Sequence, residues 1–282
     1  MPEPSYKIAL IGAGNMGEAI IGGLLRNGVA VPQNILASDA LETRVEELNT
    51  RYGISPYTDN GAAASQADVV ILAIKPQMLK KVLAGLKGNI QSTALVLSIV
   101  AGASIQTLSE GLNHPFLVRS MPNTPAQIGK GITVWTASPA VKQDHLDLAK
   151  TVLEALGEEI FMEEERYLDM ATALSGTGPA YVFLFMEALI DAGVHLGFPR
   201  RIAERLVTQT IRGSVDYSLN RNSHPAHLRN EVTSPGGTSA AALYYLEKAG
   251  FRTALSRAVW AAYERSLELG KGRDVKDPER PE

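Results

Sequence analysis

The sequence predicts an α/β protein: an N-terminal doubly wound parallel sheet over residues 1–162, an all-helical region over 163–270 and a disordered tail over 271–282. Three observations predict it. Short apolar runs alternate with segments of helical period from residue 6 to about 162. Gly12, Gly14 and Gly17 form G-x-G-x-x-G between the first such run and the first helical segment. Beyond Glu163, long helical patterns with sparse β-branching take over.

Ile8 to Ile11 read as a buried strand, and Glu18 to Arg26 carry their apolar residues on one helical face. A chance glycine-rich turn needs neither neighbour. In the dinucleotide (Rossmann-type) fingerprint, Gly12 makes the tight turn, Gly14 lets a pyrophosphate approach the backbone, and Gly17 lets helix and strand pack closely. The next strand, Asn34 to Asp39, ends on an acid. Such an acid normally bonds the adenosine ribose 2′-hydroxyl, so Asp39 leans toward NADH; the same residue type also caps helices, and Ser38 with Arg44 is able to accommodate a phosphate.

A short strand near Ile54 to Tyr57 leads to Thr58-Asp59-Asn60, which caps a small Ala-rich helix. Asp68 to Ile74 are almost unbrokenly apolar, as a strand covered on both faces requires. Its carboxyl end, Ala73 to Gln77, falls in the ligand crevice and makes Lys75 either a cofactor contact or a surface charge. A further strand, Ala94 to Val100, runs into Ala101-Gly102. Phe116 to Arg119 leads into Ser120-Met121-Pro122-Asn123-Thr124-Pro125, where two prolines end the strand and stiffen a loop that holds Asn123 and Thr124 toward a ligand. Ile132 to Trp135, a helix over Val141 to Leu156 and a strand over Glu159 to Met162 complete the sheet.

Helical patterns follow at Tyr181 to Leu196, Arg200 to Leu219 and Phe251 to Leu269. Tyr181 to Met186 are apolar all round, which a small isolated bundle buries with difficulty. Helices of another subunit are expected to cover them.

Composition narrows the function. A net charge of -3 and a pI near 6.0 argue against nucleic-acid and membrane-surface partners. The chain has no Cys, which excludes a disulfide frame, a Cys nucleophile and thiolate metal sites. With no basic and apolar leader and no apolar stretch of spanning length, a cytoplasmic protein is expected.

Two segments at helix entries, Leu174 to Tyr181 and Val232 to Ser239, combine Gly, Ser and Thr. Each offers either a cradle for a carboxylate or ordinary capping. His224 and His227 flank Pro225 without a carboxylate as third ligand, so no metal site is expected, and His195 is expected to be packed.

Five segments in order resemble the pyrroline-5-carboxylate reductase family: Ile11-Gly12-Ala13-Gly14-Asn15-Met16-Gly17, Ala73-Ile74-Lys75-Pro76-Gln77, Met121-Pro122-Asn123-Thr124-Pro125, Leu174-Ser175-Gly176-Thr177-Gly178-Pro179-Ala180-Tyr181 and Thr233-Ser234-Pro235-Gly236-Gly237. The resemblance implies reduction of 1-pyrroline-5-carboxylate to L-proline, the last step of proline biosynthesis. NADP(H) is the implied cofactor, with NAD(H) also open because of Asp39. Also implied are a helical dimerisation domain, a homodimer that often assembles to a decamer, and no metal. Cofactor contacts are placed on Ile11 to Gly17, Ser38, Asn60, Ala73, Ile74, Lys75, Pro76, Ala101 and Gly102, to which the residue patterns add Asp39 and Asn123. The substrate site is placed on Glu165, Ser175, Gly176, Thr177, Gly236, Gly237, Thr238 and Ser239. The family usually has Thr at Ser239 and Ser at Thr177; both exchanges keep a hydroxyl.

The implied chemistry is hydride transfer to C5 of a cyclic imine. The substrate carboxylate rests on backbone N–H groups at Gly236 to Ser239, and Ser239 orients or protonates the imine nitrogen. Two rivals stand beside it. A β-hydroxyacid dehydrogenase requires a Lys on the helix from Tyr181 to Leu196, which contains none. A non-catalytic dinucleotide sensor has no use for the Gly236 loop.

Overall fold

The computed structural model describes residues 6–270; the tail expected at 271–282 lies outside them. The first part runs β1 (Ile8–Ile11), α1 (Asn15–Arg26), β2 (Ile35–Ser38), α2 (Glu42–Tyr52), β3 (Ser55–Tyr57), α3 (Asn60–Ala64), β4 (Val69–Leu72), α4 (Leu79–Leu86), β5 (Leu95–Ser98), α5 (Ile105–Leu112), β6 (Leu117–Met121), β7 (Gly131–Ala137), α6 (Gln143–Glu154) and β8 (Gly157–Phe161). All eight expected strands form, in the order β3-β2-β1-β4-β5-β6-β7-β8.

Alternation along the strands builds two cores. Ile8 and Leu10 of β1 face one apolar cluster, while Ala9 and Ile11 face the other. β4 is buried along its whole length, as its unbroken apolar run requires. The sheet is not wholly parallel: β7 pairs antiparallel with β6. The connection between them holds a single 3-10 turn, Thr124–Ile128, too short for the crossover that a parallel pair requires.

The second part runs α7 (Arg166–Ala171), a π turn (Thr172–Gly176), α8 (Gly178–His195), α9 (Arg200–Arg221), α10 (Pro225–Glu231), α11 (Thr238–Lys248) and α12 (Phe251–Gly270). Packing divides the chain elsewhere than at 162. Residues through Thr177 and from Ala261 onward form one unit, and Gly178–Trp260 form the other. Arg119 on β6 ties α7 to the sheet through Glu165 and Asp169, and Ser266 of α12 bonds the same Asp169.

In the helical unit, Ala203 is the one buried residue among those described, and it faces Gly193 where α8 and α9 pack. Phe183 and Leu184 are 59% and 67% exposed. His195 is exposed rather than packed, because a bundle this thin has no interior to receive it. The membrane expectation also needs correction: Arg166–His195 contain a window of mean hydropathy 1.4, apolar and long enough to span by composition alone.

Candidate active site

Three glycines shape the loop after β1, for different reasons. Gly12 has φ +102, and a side chain there would meet the Ala73 carbonyl at 2.6 Å. A side chain at Gly17 would run into the Gly12 carbonyl, so the packing of α1 on the loop accounts for this glycine. Gly14 differs: its φ is -68, and nothing lies within 4 Å of an added Cβ. The protein's own packing does not require glycine there. A ligand pressed against the backbone does, and a dinucleotide pyrophosphate fits that requirement. Gly14 is also the N-cap of α1, which has no side-chain cap, so the first N–H groups of the helix are left for an anion.

The loop opens on a cleft of about 570 Å³ lined by Ile11, Gly12, Gly14, Ser38, Asp39, Asn60, Ala73, Ile74 and Lys75 among others. Nine of the expected cofactor residues therefore meet at the carboxyl ends of β1, β2 and β4. The Ser38 hydroxyl donates to the Asn60 amide oxygen at 2.8 Å, which joins the two expected contacts. Asp39 accepts from Ala13 N at 2.7 Å and from Leu41 N at 3.0 Å, so its carboxylate braces the loop and the turn before α2 together. Thr58, Asp59 and Lys81 stand on the same wall; the sequence marks Thr58 and Asp59 only as the cap of α3, where Asp59 accepts from Ala62 N at 2.9 Å, and Lys81 carries no motif.

Other expected contacts lie elsewhere. Ala13 is fully buried, Met16 packs against the core and Asn15 is exposed. Pro76, Ala101 and Gly102 line a separate hollow of about 830 Å³ beside Leu269 and Gly270. The Asn123 amide is engaged within the protein, donating to the Ser175 carbonyl at 3.2 Å and accepting from Ile132 N at 3.0 Å. The rigid-turn reading accounts for those bonds.

Of the two expected carboxylate cradles, one has no free helix end. Leu174 to Gly176 lie in the π turn, and Arg166–His195 run as one helix through it. The Ser175 hydroxyl donates to Ala171 O at 3.0 Å and the Thr177 hydroxyl to Thr172 O at 2.8 Å, a carbonyl that the Thr177 N–H also reaches at 2.8 Å, so both hydroxyls are engaged within the turn. The Gly236 loop keeps a free helix end. Gly236 has φ +72, Gly237 is the N-cap of α11, and no side chain caps the helix. Ser239 is therefore not a capping residue.

Glu165 accepts from Ile105 N at 2.8 Å and from Arg119 Nη1 at 2.9 Å. Arg119, 3% exposed, was not singled out by any motif. Among the described residues no group of His, Asp and Glu has the arrangement of a metal site.

Comparison with known proteins agrees with this geometry. A family model described as NADP oxidoreductase coenzyme F420-dependent matches residues 7–102, and one described as pyrroline-5-carboxylate reductase dimerisation matches residues 165–269. The pyrroline-5-carboxylate reductase of Synechocystis is 42% identical over 267 residues, which cover 95% of this chain and 99% of the relative. That of Corynebacterium melassecola is 41% identical over 268 residues, covering 94% of this chain and 98% of the relative. The crystal structure of a Plasmodium falciparum pyrroline carboxylate reductase with NADP bound superposes with a TM-score of 0.88 at 32% identity, covering 95% of this chain and 99% of that one.

Fold and glycine loop together define an NAD(P)H-dependent oxidoreductase with a nucleotide-binding sheet and a helical dimerisation domain. The chain belongs to the pyrroline-5-carboxylate reductase family. The hydroxyacid-dehydrogenase and cofactor-sensor readings fall with that assignment.

Proposed function

We propose that the chain reduces 1-pyrroline-5-carboxylate to L-proline with the substrate carboxylate held at the amino end of α11 and the imine nitrogen met by Ser239. The observation that carries this reading is the open helix end: Gly237 is its N-cap, no side chain closes it, and the Ser239 hydroxyl makes no capping bond. Backbone N–H groups of a helix amino end attract a carboxylate, and Gly236 and Gly237 let it come close. When bound, NAD(P)H supplies the hydride. Ser239 orients the imine nitrogen and shares a proton with it; a substrate that binds already protonated needs little more than orientation and exclusion of water. Glu165, Ser175, Gly176, Thr177 and Thr238 complete the proposed substrate site.

The dinucleotide takes the cleft at Gly12 to Gly14, with Ser38, Asn60, Ala73, Ile74 and Lys75 around it, and Pro76, Ala101, Gly102 and Asn123 belong to its proposed surroundings. Residues 1–162 are proposed as the dinucleotide-binding part and 163–270 as the substrate and dimerisation part, in a cytoplasmic homodimer that assembles further toward a decamer. The dimerisation family match over residues 165–269 supports a subunit partner over a membrane as the cover for the exposed Phe183 and Leu184. The test is direct: the purified chain is mixed with the imine and NADPH or NADH, and nicotinamide oxidation is followed with proline as the product. Absence of proline with both cofactors would overturn the assignment of substrate.

A further inference from the structure

Ala13, the residue between the first two glycines, is fully buried and held by two charged side chains from outside the loop. Its N–H donates to Asp39 Oδ2 at 2.7 Å, and its carbonyl accepts from Arg44 Nε at 2.8 Å. That carbonyl shares a peptide plane with the N–H of Gly14. In a trans peptide the two point in opposite directions, so a bond that fixes the carbonyl also fixes where the N–H is aimed. The Gly14 N–H has no protein partner among the described residues, and Gly14 is exposed and lines the cleft.

We infer that Arg44 is a positioning residue for the dinucleotide: through the Ala13 carbonyl it aims the Gly14 N–H at the pyrophosphate, and it is not the ligand of a ribose 2′-phosphate. The guanidinium is committed on every nitrogen. Nη2 pairs with Glu18, and Nη1 donates to Glu47 at 3.0 Å. Glu18 is held in turn by Arg51 and by the Tyr52 hydroxyl. Burial alone would push the Glu18 carboxyl up, but the bonds from Arg44, Tyr52 and Arg51 outweigh it and hold the group below the usual range. Swinging Arg44 toward a phosphate would strand the buried Ala13 carbonyl and unpair Glu18. A cationic donor on the carbonyl also polarises the peptide and makes the Gly14 N–H a stronger donor.

This inference rests on reading the glycine loop as the dinucleotide site. The test measures dissociation constants of the full chain for NADPH and NADH by fluorescence titration, with a melting curve for each variant. Arg44→Met is expected to weaken both cofactors by about tenfold and by the same factor, because the pyrophosphate is common to them. Arg44→Lys, which keeps the charge but lacks the Nε donor, carries the same expectation should the Met variant not fold. Loss confined to NADPH would make Arg44 a phosphate ligand and overturn the proposal, as would unchanged affinity for both. Gly14→Val separates the premise from the inference. If that variant binds both cofactors normally, the loop is not the site; if it loses binding while the Arg44 variants keep theirs, the positioning role alone fails.

Discussion

Arg119 and Asp169, fifty positions apart in sequence, form a part-buried ion pair with Nη2 2.9 Å from Oδ1 and side chains 4% and 13% exposed. Nη1 of the same guanidinium reaches Glu165, and Ser266 donates to the same Asp169 oxygen at 2.7 Å, so one buried cation gathers β6, α7 and the end of α12. Removing Arg119 leaves the part-buried Asp169 and Glu165 without their cation. Arg119→Met is expected to lower stability by about 1–3 kcal/mol in denaturant unfolding. In an Arg119→Met, Asp169→Leu double variant the loss should be smaller than the sum of the single losses. Additive losses would show that the pair is not coupled.

The three loop glycines should separate by experiment. Gly17→Ala places a Cβ on the Gly12 carbonyl and is expected to destabilise the fold by about 1–3 kcal/mol. Gly14→Val meets open space and should keep its stability within about 1 kcal/mol, the scale of an N-cap change. Its affinity for NAD(P)H should nevertheless fall by at least about tenfold. Melting curves and cofactor titrations on one preparation read both.

Ser239→Ala is expected to reduce kcat by about tenfold or more, since a hydrogen bond to a charged group contributes about 1.5–3 kcal/mol. The melting temperature should hold, because Gly237 and not Ser239 stands at the helix end. Ser239→Thr should restore turnover. Unchanged kcat in the Ala variant would remove the hydroxyl from the chemistry.

Light scattering of the full chain should give at least a dimer. Leu184→Glu places a charge on the exposed apolar face of α8 and is expected to shift the population toward monomer. A parent protein that is monomeric at assay concentrations would contradict the expected covering of α8.

His114 supplies a pH dependence of stability. It is 6% exposed, and burial holds its pKa below the usual histidine value despite a 2.7 Å contact between Nε2 and the Ala94 carbonyl; neighbouring His145 lowers it further. The unfolded chain therefore takes up a proton at a higher pH than the folded one. This contribution is fully present above the ordinary histidine pKa of about 6.5 and declines as pH falls from there toward the lowered folded value. Denaturation midpoints should drop across that interval in the parent, and His114→Gln should flatten the drop. An equal slope in both proteins would assign the effect to other groups.

Local pattern settled much of this molecule. The central strands β1 and β4 are unbroken apolar runs and β5 is one up to Ser98, and the long helices show their period, because the polypeptide must hide alternate or every-third-or-fourth side chains whatever its neighbours are. Gly12, Gly14 and Gly17 were legible for the same reason: backbone conformation and close approach are properties of a few adjacent residues. Motif resemblance brought Ser38, Asn60 and Lys75 to the cleft where they are found. The tertiary structure decided what depends on partners far along the chain. The reversal of β7 depends on which edge a short connection can reach. Ser175 and Thr177 left the loop reading because the carbonyls of a π turn, invisible in the sequence, accept their protons. Asp39 and Arg44 read in the sequence as ribose or phosphate contacts, and only the fold shows that both also bond Ala13, more than two dozen residues away. Arg119 carried no motif, since the partners of a buried charge are chosen by the geometry of packing and not by neighbours in the chain.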